Sequence, residues 1–527
     1  MQEKSNADFG RWRNGIWPIH RRELVKLLPM LLIFFLLSFC YNTLRTMKDI
    51  LVVTESGAGA KVIPFIKMWV MFPGSILLTY LFTRLTNRLN RETVFYCMLS
   101  IFLVFFAVFT FVLYPIRESI HLHATANWLT EHLPPGFSGM IAMIRYWIFS
   151  IFYSMSELWT NIVLYMLFWG FANEITRLDQ AKRFYGILGI GANSSGIIAG
   201  YVSVLVMRLN FNPAIPYGET AWEQQLAILI VMILGAGLLA MVVYRWMNVK
   251  ILSDPQNYTP DASALKGVKG RMSMRQNFDY LFKSRYLISL AFIVIAYNVI
   301  IQLVEVLWKD QVKELYPNKS DYGIYMNYVT LTIGFIATFT SVFVSTNVIR
   351  RFGWTFSALI TPLILLLTSM GFFFFYFAKE SSSMLSLLAG ISPLNLIVLF
   401  GTLQNCLSRA AKYTVYDATK EMAFVPLSTE CKLKGKAAID GVCNRLGKSG
   451  GAVIHQTLLL FFVELSASAP YIAFFLFSFI VLWTKSVFSL GKQFNQLTQQ
   501  FPEELPANHS ESIKIGDLEN EEAVVSV

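Results

Sequence analysis

Long apolar runs recur along the whole chain, and they leave few folds open to it. A helix needs about 20 apolar residues to cross the hydrocarbon core of a bilayer. Lipid offers a backbone no hydrogen-bond partner, so segments that span it are helical. Twelve such runs are found, near 24–46, 62–83, 93–115, 138–171, 181–207, 222–246, 286–308, 322–346, 354–378, 391–418, 433–465 and 468–489. The sequence therefore predicts an all-α membrane protein with twelve transmembrane helices.

The distribution of charge predicts how these helices are oriented. The 527 residues carry a net charge of +11, and the arginines and lysines are concentrated in short segments between the apolar runs. Cytoplasmic segments of membrane proteins carry an excess of Arg and Lys. Placing both termini in the cytoplasm puts the basic residues before residue 24, at 84–91, at 248–285 and at 350–351 on that side. Membrane topology thus accounts for the positive charge, and no nucleic-acid binding is expected.

The apolar runs fall into two sets of six, separated by a polar and basic segment. The spacing of Asn193 and Gly196 in the fifth run repeats at Asn444 and Gly447 in the eleventh. Duplicated bundles bind their substrate between the two halves, near the middle of the membrane. We interpret the chain as two six-helix bundles that rock about such a site. The predicted units are a cytoplasmic segment 1–23, an N-terminal bundle 24–247, a basic cytoplasmic linker 248–285, a C-terminal bundle 286–490 and a disordered cytoplasmic tail 491–527.

Cysteines and histidines give no indication of a metal centre. The five cysteines are scattered, whereas disulfide frameworks and zinc sites need close pairs. His121, His123 and His132 lie in the predicted outer segment 117–137, and their spacing lacks the convergence of a metal site. We interpret these histidines as surface residues. The sequence predicts no metal, no cofactor and no catalytic residue.

The stretch Lys434–Gly451 places charges at the head of an apolar run. Four of its residues fall on one face of a helix because they are four positions apart, namely Lys436, Asp440, Asn444 and Lys448. Charged side chains within a membrane are costly unless they face protein or a water-filled cavity. The stripe therefore predicts a transport pathway. A phosphate-binding P-loop is not indicated, because five residues separate Gly441 from Gly447 and the motif has four.

Polar stripes on two further runs each include a glutamate. The fourth run aligns Ser150, Tyr153, Glu157, Asn161 and Tyr165, and the seventh aligns Asn298, Gln302, Glu305 and Lys309. Two carboxylates in a membrane suit proton or charge coupling. Alternatively, each is the structural partner of a buried cation, such as Arg145 for Glu157.

Two other groups of residues have two interpretations each. Arg45, Lys48 and Asp49 at the outer end of the first run either line a vestibule or extend to the lipid headgroups.

The glycines around Asn193 either allow close helix packing or form a flat surface for a planar base, with Asn193 supplying amide contacts. Further cations lie in the tenth run. The predicted cavity then holds more Lys and Arg than carboxylates, so its ligand should be a polyanion.

Long motifs are distributed over nearly all of the chain except its ends and some loops: Leu44–Thr54, Ile63–Trp69, Glu157–Trp159, Leu167–Thr176, Ala181–Asn193, Leu303–Lys309, Ser408–Tyr413, Lys420–Ala423 and Lys434–Gly451. In these motifs the chain resembles the ATP/ADP translocase family of plastids and obligate intracellular bacteria. The resemblance implies twelve helices of the major-facilitator type and transport of nucleotides. It also implies functional roles for Lys48, Glu157, Glu305 and Lys448, with Lys48 and Lys448 as phosphate contacts.

The resemblance and the polar stripes together give a set of candidate site residues. The expected phosphate contacts are Lys48, Lys448, Arg45, Arg145 and Lys436. The expected base or ribose contacts are Asn193, Asn444, Tyr153 and Asn161. The expected coupling or gating residues are Glu157, Glu305 and Asp440.

Two departures from the family's usual motifs raise the positive charge beside the expected phosphate ligands. Thr46 and Met47 precede Lys48 where the family usually has an acid and a hydroxyl, and Arg445 replaces a proline. These departures leave the substrate range and the coupling mode open.

The resemblance implies a translocase that moves ATP by alternating access in exchange for ADP or another nucleotide, with the range of nucleoside triphosphates open. The alternatives are a proton-coupled net importer of nucleoside triphosphates and a major-facilitator carrier of another organic anion or peptide. An enzyme is not indicated, since phosphoryl chemistry needs a metal-binding carboxylate cluster that the sequence lacks. We expect a multi-pass monomer in a bacterial inner membrane, with nucleotides, the lipid bilayer and, for a symporter, protons as partners.

Overall fold

The computed structural model describes residues 19–55, 57–176, 178–254, 284–343, 345–379, 392–427, 435, 439 and 443–500. These residues form long helices throughout. The N-terminal half contains α1 (Arg21–Glu55), α2 (Gly59–Thr86), α3 (Arg91–Leu113), α4 (Pro135–Arg145 and Trp147–Ile175), α5 (Leu178–Met207) and α6 (Ala221–Ile251). The C-terminal half contains α7 (Arg285–Leu315), α8 (Lys319–Phe343), α9 (Ser345–Ala378), α10 (393–423), α11 (Asn444–Phe462) and α12 (Leu465–Gln500).

Length and hydropathy identify this chain as an integral membrane protein with many passes. Eight of the described helices are long and apolar enough to cross a bilayer, and the two parts of α4 make a ninth if they form one span. Large apolar side chains on the outer surface are exposed, including Leu77, Phe335 and Phe474. Such surfaces are stable only in contact with lipid.

The helices extend beyond the apolar runs that predict them. Helix α1 continues to Glu55, α6 to Ile251 and α12 to Gln500. Hydropathy marks only the part of a helix that lies in lipid, and polar residues continue the same backbone hydrogen bonding into the interface. The predicted boundaries at 247 and 490 therefore fall inside helices. Most of the predicted linker and tail lies outside the described residues.

Helix α4 is broken where the sequence predicts one continuous segment. The parts before and after Tyr146 meet at an angle of 81°, and Tyr146 has non-helical backbone angles (φ −105°, ψ 48°). The predicted outer segment before α4 contains two short helices, Arg117–Ile120 and His123–His132. We call Pro135–Arg145 the outer part of α4, because it follows the predicted outer segment. It turns sharply away from the longer part, Trp147–Ile175.

The two halves pack with the same helix order, six positions apart. Helix α5 packs on α1 of its own half and on α8 of the other, and α11 packs on α7 and on α2. A Cβ at Gly334 of α8 would lie 2.7 Å from the backbone nitrogen of Ile197 in α5, and one at Gly447 of α11 would lie 2.8 Å from the Ile295 carbonyl of α7. Small residues thus permit both close approaches. This favours the packing interpretation of the glycines around Asn193.

Contacts between the halves close the end that the sequence places outside. Lys61 at the start of α2 forms an ion pair of 2.5 Å with Glu464, which precedes α12. Lys319 at the start of α8 lies 3.0 Å from Glu55 at the end of α1. Gly136 lies directly against the Leu460 backbone of α11. The halves are therefore held together at the predicted outer end.

Candidate functional site

Seven charged side chains form a continuous ion-pair network in the middle of the molecule. They come from five helices: Lys48 and Asp49 from α1, Lys67 from α2, Glu157 from α4, Glu305 and Lys309 from α7, and Arg409 from α10. Four are cations and three are carboxylates. The network therefore carries one net positive charge.

Lys48 is the centre of the N-terminal part of the network. Its ammonium lies 3.0 Å from Glu157 Oε1 and 2.9 Å from Asp49 Oδ1. It also lies 4.1 Å from the centroid of the Tyr153 ring. Only 2% of the Lys48 side chain is exposed, so the interpretation that it extends to the headgroups is wrong.

Glu305 is the centre of the C-terminal part. Its Oε1 atom lies 3.0 Å from Lys309 Nζ and 3.4 Å from Arg409 Nη2, and its Oε2 atom lies 4.0 Å from Lys67 Nζ. Lys67 also donates a hydrogen bond to Gln302. Because Lys67 belongs to α2 and Glu305 to α7, this part of the network includes both halves.

One ion pair joins the two parts. Lys309 Nζ donates to Asp49 Oδ1 over 2.8 Å, and both side chains are almost completely buried. A buried charge is tolerated when it is paired and hydrogen-bonded. Every charged side chain of the network has a neighbour of opposite charge, so the network meets that condition.

Four of the five helices that supply the network contain a π-helical turn next to it. Helical turns of the π type occupy Leu51–Glu55 in α1, Lys67–Met71 in α2, Thr160–Trp169 in α4 and Lys412–Tyr416 in α10. Each begins within a few residues of a charged member of the network. A π-helical turn holds an additional residue and changes the direction of the side chains that follow, and such turns are frequent at functional sites.

A second group of cations lies beside the network. Among the ion pairs in the described part of the chain, none includes Arg45 or Lys448. Lys448 is half-buried, and its electrostatic neighbours are Glu157, Lys412, Arg409 and Arg445. The close contact of Gly447 with α7 brings Lys448 to this position. Arg45 and Lys448 are therefore more available to an anionic ligand than the cations of the network are.

Exposed tyrosines from both halves lie near Lys412, which is a neighbour of Lys448. Tyr165 of α4 is 54% exposed and Tyr413 of α10 is 42% exposed, although Tyr165 lies within electrostatic range of Lys412 from the other half. Exposed side chains of opposite halves thus lie near each other. The Glu157 side chain is 27% exposed, and it belongs to the network and is also an electrostatic neighbour of Lys448.

The predicted base and ribose contacts are divided between different environments. Tyr153 is fully buried against Lys48. Asn161 and Asn444 are half-buried on α4 and α11. The Asn193 amide donates to Ser341 Oγ over 3.4 Å in the packed contact of α5 with α8. Asn193 therefore contributes to the interface between the halves.

Arg145 lies away from the network. It is the last residue of the outer part of α4, and it donates to Asn127 Oδ1 over 2.9 Å in the outer segment. The suggested pair of Arg145 with Glu157 is not formed, because the break at Tyr146 separates the two residues and Glu157 instead pairs with Lys48. Lys436 and Asp440 lie outside the described residues.

The pairing of Asp49, Lys67, Lys309 and Arg409 is the feature that sequence reasoning missed. Lys67 and Arg409 interrupt apolar runs, and Asp49 and Lys309 lie just after the ends of two others. The cost of isolated charges in or near a membrane was therefore the available signal. Periodicity along one helix does not indicate which charge on another helix is its partner.

Comparison with protein families and curated proteins gives close relatives. The family model described as TLC ATP/ADP transporter matches residues 2–494. ADP,ATP carrier protein 1 of Chlamydia trachomatis is 43% identical, over 94% of this chain and 93% of the relative. The chloroplastic ADP,ATP carrier protein 2 of Arabidopsis thaliana is 40% identical, over 96% of this chain and 81% of the relative.

Solved structures with low sequence identity share the fold. A D-xylose-proton symporter superimposes with a TM-score of 0.52 at 13% identity, covering 89% of this chain and 97% of the symporter. A bacterial homologue of the iron transporter ferroportin, in an inward-facing state, gives 0.53 at 11% identity, covering 90% and 100%. The predicted all-α fold of the major-facilitator type is thereby confirmed.

Proposed function

Because this chain belongs to the TLC ATP/ADP transporter family, we propose that it carries ATP across a membrane by alternating access, in exchange for ADP. Relatives in Chlamydia trachomatis and Arabidopsis thaliana are named ADP,ATP carriers and match it over most of its length. The observation that carries the proposal is the surplus of cations between the two halves. A polyphosphate is the kind of ligand that such a surplus attracts.

Lys448 is the first phosphate ligand in this proposal. It is half-buried, and its ammonium belongs to no ion pair of the described residues. A phosphate oxygen can therefore bind it without displacing a carboxylate. Lys412 and Arg445 add positive charge nearby, which strengthens the attraction for a ligand with several negative charges.

Lys48 binds phosphate by exchanging a partner. Its present partners are Glu157 at 3.0 Å and Asp49 at 2.9 Å. Glu157 is the more accessible of the two carboxylates, with 27% of its side chain exposed against 2% for Asp49. A phosphate group carries more charge than a carboxylate and competes with Glu157 for the ammonium. The pair of Lys48 and Glu157 thus connects substrate binding to the network.

The network couples binding to reorientation. The pair of Asp49 with Lys309 holds the halves together in the middle of the molecule, and it opposes their rotation. A ligand shifts a conformational equilibrium only by its difference in affinity for the two states. New contacts of the phosphates with Lys48 offset the loss of this ion pair. The carrier then reorients readily only when loaded, which is the requirement of an exchanger.

The carboxylates favour exchange over proton symport. Asp49, Glu157 and Glu305 each have an ammonium within 3.0 Å. Each of these carboxylates thus already has a cationic partner in this arrangement, and exchange needs no proton carrier.

Uptake into reconstituted vesicles tests the proposal. Labelled ATP should enter vesicles that contain ADP, enter poorly without internal nucleotide, and continue to enter when an ionophore dissipates the proton gradient. Unlabelled ATP should compete, whereas simple anions should not. Accumulation without internal nucleotide that collapses with the proton gradient would instead establish proton-driven import. Competition by unrelated organic anions or peptides would identify a different carrier.

A further inference from the structure

Three potential metal ligands converge in the outer segment, far from the ion-pair network. They are Glu118, His121 and His123, and one ligand atom from each lies within 4.8 Å of the other two. Glu118 Oε2 is 3.9 Å from His123 Nε2. The sequence predicts surface histidines without convergent spacing. This prediction is wrong for the burial of His121 and for the convergence of the two histidines, whereas His123 lies at the surface as predicted.

The local backbone brings these residues together. Glu118 lies in the single helical turn Arg117–Ile120, His121 is extended (φ −66°, ψ 140°), and His123 begins the next helix. The chain therefore changes direction between the three residues. A regular helix would place positions 121 and 123 on different faces, which is why their spacing gives no signal of convergence.

His121 is buried without a hydrogen-bond partner. Its exposed fraction is 7%, and in the described part of the chain neither ring nitrogen has a partner. The rings of Tyr146 and Phe149 contact it edge to face, with centroids 4.9 and 5.2 Å away. Buried polar atoms are nearly always hydrogen-bonded or bound to a ligand. The unpartnered nitrogens of His121 therefore indicate a ligand that Glu118 and His123 can bind as well.

We propose that Glu118, His121 and His123 form a binding site for a divalent transition metal of the Zn²⁺ class. Two imidazoles and one carboxylate are a preferred ligand set for zinc, and the exposed position of Glu118 leaves the fourth coordination position to water.

The site is placed to stiffen the outer end. The Leu122 amide donates to the Arg145 carbonyl over 3.1 Å, and Trp147 Nε1 donates to the Ile120 carbonyl over 3.0 Å. The outer segment is thus bonded on both sides of the break in α4. A metal ion between Glu118 and the histidines would make the bend of this segment rigid, while these hydrogen bonds hold the segment against α4.

Titration of the full-length protein with Zn²⁺ tests the site. The protein is reconstituted in nanodiscs, and Zn²⁺ binding is followed by competition with a chromophoric chelator. We expect saturable binding of one ion per chain, weakened more than about tenfold by His123→Ala. His132→Ala is the matched control on the same segment, because His132 is exposed and stacks on Trp128. It should bind Zn²⁺ as the wild type does.

Two results would overturn the proposal: no saturable Zn²⁺ binding by the wild type, or equal affinity in His123→Ala and wild type. His123 is used for the main test because 42% of its side chain is exposed, so its loss should not disturb packing. The buried His121 gives the second variant, His121→Ala, which should also lose binding. Thermal unfolding of the same nanodisc preparations confirms that each variant is folded, so this test does not depend on the transported substrate.

Discussion

Lys309 of the C-terminal half donates to Asp49 of the N-terminal half over 2.8 Å. Asp49 also accepts from Lys48 over 2.9 Å, so one carboxylate serves two buried ammonium groups. The two halves are therefore joined through a buried carboxylate that both of them contact. A motion that separates the halves in the middle of the molecule has to break this contact.

Asp49→Asn should destabilise the protein strongly. Removing one partner of a buried pair costs about 3–5 kcal/mol, and here the loss leaves the four cations of the network with only two carboxylates. The double variant Asp49→Asn with Lys309→Gln should be more stable than the sum of the single effects predicts. Thermal unfolding in detergent measures all three. Glu464→Gln is the control, because its inter-half pair with Lys61 is 60% exposed on the Glu464 side and should contribute less than about 1 kcal/mol. Strictly additive single effects would contradict the coupling.

Lys448→Gln should abolish exchange while leaving the amount of folded protein unchanged. Lys448 has no ion pair to lose within the described residues, so its removal should not affect folding. Loss of a charge-assisted contact of about 1.5–3 kcal/mol lowers ATP affinity on the order of tenfold to a hundredfold. ATP binding and uptake are measured together. Lys492→Gln, at an exposed position of α12, is the control. Wild-type uptake by Lys448→Gln would remove Lys448 from the site.

Glu305→Gln should slow the transport cycle more than it weakens ATP binding. Its carboxylate contacts Lys309 and Arg409, and it would repel a phosphate if it were a direct ligand. Without it, the network holds four cations against two carboxylates and reorients with difficulty. Equilibrium binding is compared with the rate of exchange. Glu314→Gln on the same helix is the control, since Glu314 pairs with Lys379 at the surface. Parallel loss of binding and transport would show that Glu305 organises the ligand site itself.

Gly136→Ala should oppose closure of the outer end. A Cβ at this position would lie 2.5 Å from the Leu460 carbonyl oxygen of the opposite half, and overpacking of this kind costs about 1–3 kcal/mol. We expect slower exchange and faster labelling of a cysteine introduced at Lys61 by a reagent that does not cross membranes. Gly170→Ala is the control, because nothing lies within 4 Å of its added Cβ. Unchanged labelling would show that Leu460 yields without opening the end.

The sequence was sufficient to predict twelve helices in two bundles, because the cost of exposing backbone groups to lipid leaves no alternative for such apolar runs. It was also sufficient to single out Lys48, Glu157, Glu305 and Lys448 as unusual. Which charges pair could not be predicted, since Asp49 and Lys309 are 260 positions apart and their contact depends on how the two halves pack.

The errors have local causes. The break at Tyr146 interrupts an apolar run that contains no proline or glycine at that point, so no residue signals it. Arg145 therefore belongs to the outer segment and not to the transport pathway. His121 and His123 converge only because the chain bends between two short helices, a feature that spacing along one helix does not reveal.

The one excess positive charge of the network also has an electrical consequence. Moving an elementary charge through a membrane potential of 100 mV changes the free energy by about 2.3 kcal/mol. Fixed cations between the two halves act as counterions for the bound anion, so the loaded protein presents less net charge to the field than the free anion would. We expect the Lys48 and Lys448 ammonium groups to reduce the voltage dependence of transport in this way, in addition to providing affinity.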